Sequence, residues 1–135
     1  MDAKETGGDI FKNLPILVVD DNAVFCASLE RALHQKGYDH VRTATDAYQA
    51  LDIVRDQEPS LVLCDLYLPG MDGLHLLTAI HKINRSIPVL MLSCEADDEC
   101  IKAAVSLGAA DYIVKPFHLA SLLSSVELRL ADLPA

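Results

Sequence analysis

The sequence is poor in positive charge. It holds 11 Lys and Arg residues against 20 Asp and Glu residues, so its formal net charge is -9 at pH 7. A field of this sign repels phosphate backbones and anionic lipid surfaces. We therefore expect that this chain makes no direct contact with nucleic acid and does not bind membranes.

Long apolar runs and paired cysteines are also missing. No uninterrupted apolar stretch approaches the ~18 residues of a spanning helix, and the opening MDAKETGGDIFKNL lacks the apolar core of a signal peptide. These absences predict a cytoplasmic protein. Its cysteines form no C-x-x-C pair, so we expect reduced thiols that act as small buried hydrophobes. They are Cys26, Cys64, Cys94 and Cys100.

Apolar residues, by contrast, make up 51% of the 135-residue chain. A chain of this length has room for one domain, which buries roughly 68–70% of the surface that the unfolded chain exposes. The composition is that of a folded globular domain and not of a disordered segment.

Short apolar runs alternate with helix-length segments along the chain. Five runs are predicted to be strands, at residues 15–19, 40–44, 60–64, 87–92 and 111–114. The five segments between and after them have apolar residues at helical spacing, and Asn22 and Thr45 stand where N-caps belong. This alternation predicts an α/β fold, a doubly wound five-stranded parallel sheet with helices on both faces in a three-layer sandwich.

Four of the predicted strands deliver polar side chains to the edge where such sheets bind ligands. Strand one is followed by Asp20 and Asp21, strand three by Asp65, strand four by Ser93 and strand five by Lys115. Each residue alone has an ordinary explanation as a helix cap or a solvated side chain. Their shared position predicts one site.

Three carboxylates in one cleft repel each other, and without a cation at least one of them takes up a proton. Mg²⁺ removes this conflict and suits oxygen ligands, whereas zinc would want a His or Cys set. His75 and His81 are predicted to be ordinary surface or boundary residues.

Lys115 can neutralise a bound anion, and the Ser93 hydroxyl can donate to it. We therefore expect phosphoryl transfer to the Asp65 carboxylate.

This pattern resembles the receiver domain of bacterial two-component response regulators. The resemblance rests on Asp20-Asp21, on Asp65 followed by Leu68-Pro69-Gly70-Met71-Asp72-Gly73, on Ser93, and on Tyr112 before Lys115-Pro116-Phe117. It implies a flavodoxin-like (βα)5 fold with strand order 2-1-3-4-5. It also implies an N-terminal arm over residues 1–13, a receiver domain over 14–131, and a tail or the start of a linker over 132–135.

The resemblance implies a metal centre at the acidic cluster. Asp21, Asp65 and the backbone carbonyl of Tyr67 are implied to ligate Mg²⁺, and Asp20 is implied to act through a water molecule. Asp65 is also implied to be the phosphoacceptor.

Further roles follow from the same resemblance. Ser93 and Lys115 are implied to contact the phosphoryl group, and the Lys115-Pro116 bond is implied to be cis. Ser93 and Tyr112 are implied to form the switch, with the Tyr112 rotamer reporting the phosphorylation state.

Three positions around the acceptor are expected to tune access and phosphate lifetime. Tyr67, two residues past Asp65, is large, and Cys94 stands where the family usually has Ala or Gly. Glu95 follows Cys94 and belongs to the same group of tuning positions.

The resemblance implies a phosphorylation-dependent switch and not an enzyme acting on an external substrate. The implied phosphoryl donor is a sensor histidine kinase or a histidine phosphotransfer protein. The output is expected through the fourth helix, fifth strand and fifth helix, toward an effector domain or partner, with phosphorylation-dependent dimerisation as a further option. The closing ELRLADLPA is compatible with a linker to an effector domain and equally with a stand-alone relay protein.

Two other classes fit the pattern less well. A phosphohydrolase of the haloacid dehalogenase type needs a second Asp where Tyr67 stands. A nucleotide-binding module needs a glycine-rich turn after strand one, and that turn reads Asp20-Asp21-Asn22-Ala23.

Overall fold

The computed structural model describes residues 13–131. Within them, strands and helices alternate as the sequence predicts, with shifts of one or two residues at the strand ends. The strands are β1 Ile16–Val19, β2 Val41–Ala44, β3 Leu61–Asp65, β4 Val89–Ser93 and β5 Asp111–Val114. The helices are α1 Ala23–Gln35, α2 Ala47–Asp56, α3 Gly73–Ile83, α4 Asp98–Ser106 and α5 Leu119–Ala131. The expected tail, and the expected arm up to residue 12, lie outside the described residues.

The five strands form one parallel sheet in the order β2-β1-β3-β4-β5. This confirms the predicted doubly wound topology. Because all strands run the same way, their carboxyl ends share one edge of the sheet, and the chain order reverses between β1 and β3. None of the helices within residues 13–131 is long and apolar enough to cross a membrane.

Side chains of alternate strand residues pack into two separate hydrophobic cores, one on each face of the sheet. Leu17 and Val19 of β1 belong to the core beneath α2, α3 and α4, whereas Ile16 and Val18 belong to the core beneath α1 and α5. Strands buried on both faces need apolar residues at every position, which explains their continuous apolar runs. The arrangement is the predicted three-layer sandwich.

The helix starts confirm one predicted N-cap and correct the other. Asn22 caps α1, and its side chain accepts from the backbone N–H of Phe25. The predicted cap Thr45 is wrong, because Asp46 caps α2 by accepting from the Gln49 N–H at 2.7 Å. The Gln49 side chain instead accepts from the Thr45 N–H, so the residue before the cap is also bonded.

Candidate functional site

The predicted site residues converge at the carboxyl edge of the sheet. Asp20 and Asp21 directly follow β1, and Lys115 directly follows β5. Asp65 and Ser93 are the last residues of β3 and β4. The parallel sheet therefore brings all five together, although 95 residues separate Asp20 from Lys115.

The acidic cluster fits a divalent cation. Asp20, Asp21 and Asp65 each offer a carboxylate oxygen within 4.8 Å of the other two. Asp20 is 2% exposed and Asp65 is 9% exposed, whereas Asp21 is open to solvent. An all-oxygen set with one open side suits a hard cation such as Mg²⁺, which keeps some of its waters.

The cluster also disfavours the charged form of Asp65. Burial raises the pKa of the Asp65 carboxyl, and the neighbouring Asp20 and Asp21 carboxylates raise it further. Lys115 and a hydrogen bond from the Tyr67 backbone N–H oppose this rise without cancelling it. A cation among the carboxylates would restore the ionised form that a nucleophile needs.

The Lys115 ammonium lies between the carboxylates. Its Nζ donates to Asp20 Oδ2 at 2.6 Å and is 3.9 Å from Asp65 Oδ2. Asp20 also accepts from the backbone N–H of Asn22 at 2.9 Å. Asp20 thus holds the lysine as well as belonging to the acidic cluster, a contact that sequence reasoning did not anticipate.

The backbone of Glu95 joins the two predicted switch residues. Its N–H donates to the Ser93 hydroxyl at 3.1 Å, and its carbonyl accepts from the Tyr112 hydroxyl at 2.8 Å. Ser93 is fully buried and Tyr112 is half-buried. The sequence predicts only a tuning role for Glu95. Its backbone N–H and carbonyl are present in almost any residue, so residue type could not predict these two bonds.

Of the three predicted tuning side chains, Tyr67 and Cys94 are exposed and Glu95 is half-buried. Tyr67 is 56% exposed, and both desolvation and the nearby Glu95 carboxylate raise the pKa of its hydroxyl. Cys94 is exposed, which corrects the expectation of a buried thiol, and Cys100 is only half-buried. The other two thiols, Cys26 and Cys64, are buried as predicted, and burial raises the pKa of both.

The two helix histidines stay outside the site. His75 is exposed and its ring lies 2.8 Å from the Asp72 carboxylate, while His81 bonds the Ile87 carbonyl. The Lys115–Pro116 peptide bond is cis, as the resemblance implies.

Residues 16–127 match the model of the response regulator receiver domain. The chain belongs to the response regulator receiver domain family. This confirms the resemblance, and the match covers every element from β1 to most of α5.

Similar proteins include transcriptional regulatory proteins that are longer than this chain. The transcriptional regulatory protein PrrA of Mycobacterium bovis is 38% identical over 112 residues, which cover 83% of this chain and 48% of that protein. The transcriptional regulatory protein ZraR of Escherichia coli is 40% identical over 119 residues, which cover 88% of this chain and 27% of that protein. The chain therefore spans half or less of the length of these relatives.

Solved receiver domains share the architecture. A CheY-like receiver domain protein from Methanospirillum hungatei has a TM-score of 0.84 at 30% identity, covering 89% of this chain and 95% of its own. The receiver domain of NtrX from Brucella abortus has a TM-score of 0.81 at 38% identity, covering 87% and 98%. The flavodoxin-like receiver fold is thus shown by sequence and structure alike.

Proposed function

We propose that this receiver domain accepts one phosphoryl group on Asp65. The observation that carries the proposal is the position of this carboxylate, at the end of the central strand β3, near two further carboxylates and 3.9 Å from the Lys115 ammonium. Asp20 shares the burial, the lysine and the cluster, but its two carboxylate oxygens already accept hydrogen bonds from the Asn22 N–H and from Lys115 Nζ.

The transfer is a substitution at phosphorus. An Asp65 carboxylate oxygen forms a bond to phosphorus while the bond from phosphorus to the donor atom breaks, and the electron pair leaves with the donor. Lys115 neutralises charge on the phosphoryl oxygens, and the Ser93 hydroxyl donates to one of them. The donor we propose is a phosphohistidine on a sensor kinase or a phosphotransfer protein.

Mg²⁺ is the cofactor that fits the cluster. Asp21, Asp65 and the Tyr67 carbonyl would hold it directly, and Asp20 would act through water. Its charge would lower the pKa of Asp65 and offset the negative charge of the incoming group.

The conformational output starts at Ser93. A Ser93 hydroxyl that turns toward a phosphoryl oxygen gives up its bond from the Glu95 N–H, and the same peptide segment holds the Tyr112 hydroxyl. Phosphorylation thereby shifts the balance between two arrangements of the β4–α4 connection and β5. We propose α4, β5 and α5 as the surface that contacts an effector domain or a second phosphorylated copy.

Intact mass spectrometry tests the acceptor. Incubation with acetyl phosphate and Mg²⁺ should add one phosphoryl group to the wild type and none to Asp65→Asn. Asp72→Asn is the matched control, because Asp72 caps α3 only seven residues away and Asn also caps helices. Persistence of the adduct in Asp65→Asn would refute the proposal.

A further inference from the structure

Phe25 of α1 lies beneath the Lys115 side chain. The Lys115 Nζ is 4.3 Å from the centroid of the Phe25 ring and lies over its face. This distance is well inside the ~6 Å limit within which an aromatic face attracts an ammonium group. Lys115 retains only 19% of its side-chain exposure, so water screens the attraction weakly.

A second aromatic ring orients Phe25. Phe117, which follows Lys115-Pro116, meets the Phe25 ring edge-on, with centroids 6.2 Å apart and an angle of 82° between the ring planes. Edge-to-face packing is a favourable geometry for two rings and restricts the rotamer of each. Both rings are half-buried against the core beneath α1 and α5. The face of Phe25 is therefore held toward the ammonium.

The contact with Phe25 can hold the flexible Lys115 ammonium in place while leaving its N–H donors available. An ammonium group has three donors and a flexible four-carbon stem, and one donor is used by Asp20 at 2.6 Å. An aromatic face attracts the positive charge through its quadrupole. Unlike a strong hydrogen bond, this attraction does not use up one of the N–H donors of the lysine. The remaining donors stay available for an oxygen near Asp65.

We propose that Phe25 is a positioning residue that holds the Lys115 ammonium for the phosphoryl group. The inference rests on the proposed function of Asp65. It adds a residue outside the acidic cluster, because Phe25 contacts the site through Lys115. It predicts that loss of the ring weakens binding of a phosphoryl mimic while Mg²⁺ affinity is unchanged.

The test uses beryllium trifluoride as the mimic, titrated by calorimetry into the whole chain at saturating Mg²⁺. Phe25→Leu keeps the apolar packing and removes the ring, so its affinity should fall about three- to tenfold. Phe25→Tyr keeps the ring face and should stay within about twofold of the wild type. Val24→Ala, a neighbour that is 75% exposed, is the matched control and should have no effect.

Two further measurements separate positioning from folding. In a Lys115→Met background, Phe25→Leu should cause no additional loss of affinity, because the ring then has no charge to hold. In the wild type, the Lys115 Cε protons should resonate upfield of those of exposed lysines such as Lys82, because they lie near the ring face. This second measurement needs no variant, so it stands even where Phe25→Leu fails to fold.

The outcomes are distinct. Failure of the wild type to bind the mimic at all would contradict the proposed function of Asp65. Normal binding by the wild type together with equal losses in Phe25→Leu and Phe25→Tyr, or with no loss in Phe25→Leu, would overturn the role of the ring. Absence of an upfield shift at Lys115 would overturn it as well.

Discussion

At the scale of single residues, Tyr67 and Cys94 are the distinctive feature of this site. Both are exposed, and both lie within two residues of a site residue, Asp65 or Ser93. Hydrolysis of an aspartyl phosphate requires a water in line with phosphorus, so a ring over the approach slows it. We predict severalfold faster dephosphorylation in Tyr67→Asn and faster uptake from acetyl phosphate in Cys94→Ala.

Both rates can be followed by intact mass at saturating Mg²⁺. Asp72→Asn serves again as the control that should leave both rates unchanged. Rates that match the wild type in both variants would reject gating by these two side chains and leave the receiver assignment intact.

Single residues also mark the limit of sequence reasoning. Asp65, Ser93 and Lys115 could be predicted because strand ends converge at one edge of a parallel sheet. The Phe25–Lys115 contact could not, because it joins an apolar helix position to a residue 90 positions later and depends on how α1 packs. Thr and Asp both cap helices well, so residue type alone does not distinguish Thr45 from Asp46; in the structure Asp46 accepts from the Gln49 N–H, and Thr45 bonds the Gln49 side chain instead.

At the scale of elements, the start of α3 is packed directly against the end of β3. The Gly73 N–H donates to the Leu66 carbonyl at 2.7 Å, and a Cβ at Gly73 would lie 2.2 Å from the Asp65 carbonyl oxygen. Because that neighbour is backbone, it cannot turn aside. We predict that Gly73→Ala lowers the free energy of unfolding by about 2 kcal/mol or more, as measured by urea denaturation.

The Gly73 prediction has an internal control. Gly108 also has little room, but a Cβ there would meet only the His81 ring at 3.1 Å, together with a positive φ. Gly108→Ala should therefore destabilise the fold while leaving phosphorylation of Asp65 unchanged, whereas Gly73→Ala should impair both. Wild-type stability in Gly73→Ala would contradict the close approach.

The second element-scale prediction concerns α4, β5 and α5. If the Glu95 peptide couples Ser93 to Tyr112, a bound phosphoryl mimic should change amide exchange within residues 95–130 and leave α2 nearly unchanged. Tyr112→Phe lacks the hydroxyl that bonds Glu95 and should reduce the change. Identical exchange in those residues with and without beryllium trifluoride would contradict the coupling.

At the scale of the whole molecule, the alternation of strands and helices made the fold predictable. Buried parallel strands leave continuous apolar runs, and amphipathic helices leave a 3.6-residue period, so both types of element are visible in the sequence. Exposure was less predictable, as Cys94 shows. The sequence pattern of a small apolar residue after a strand is the same whether its side chain packs into the core or faces solvent.

The net charge of -9 and the acidic cluster give a whole-molecule prediction for metal. A cation that binds only the folded state stabilises it by mass action, by about 1.4 kcal/mol when its concentration is ten times Kd. We expect Mg²⁺ at that level to raise Tm by roughly 5 °C. Asp21→Asn should abolish the rise, since it removes one ligand and part of the charge.

The Mg²⁺ dependence of Tm should be compared with that of Ba²⁺, which is too large for a Mg²⁺ site, at equal ionic strength. A rise that is the same for both ions would indicate screening of the net charge and not a specific site. An unchanged Tm in the wild type at millimolar Mg²⁺ would contradict the metal assignment.

We propose that Asp65 carries the phosphoryl group, and chemical trapping locates the group directly. Borohydride reduces an aspartyl phosphate to homoserine, which tandem mass spectrometry of the digested protein identifies by position. After incubation with acetyl phosphate and Mg²⁺, we predict homoserine at position 65 and unmodified Asp20 and Asp21. Homoserine at either of those two positions, or an unmodified Asp65 in protein that has gained a phosphoryl group, would contradict the assignment of Asp65 as the phosphoacceptor.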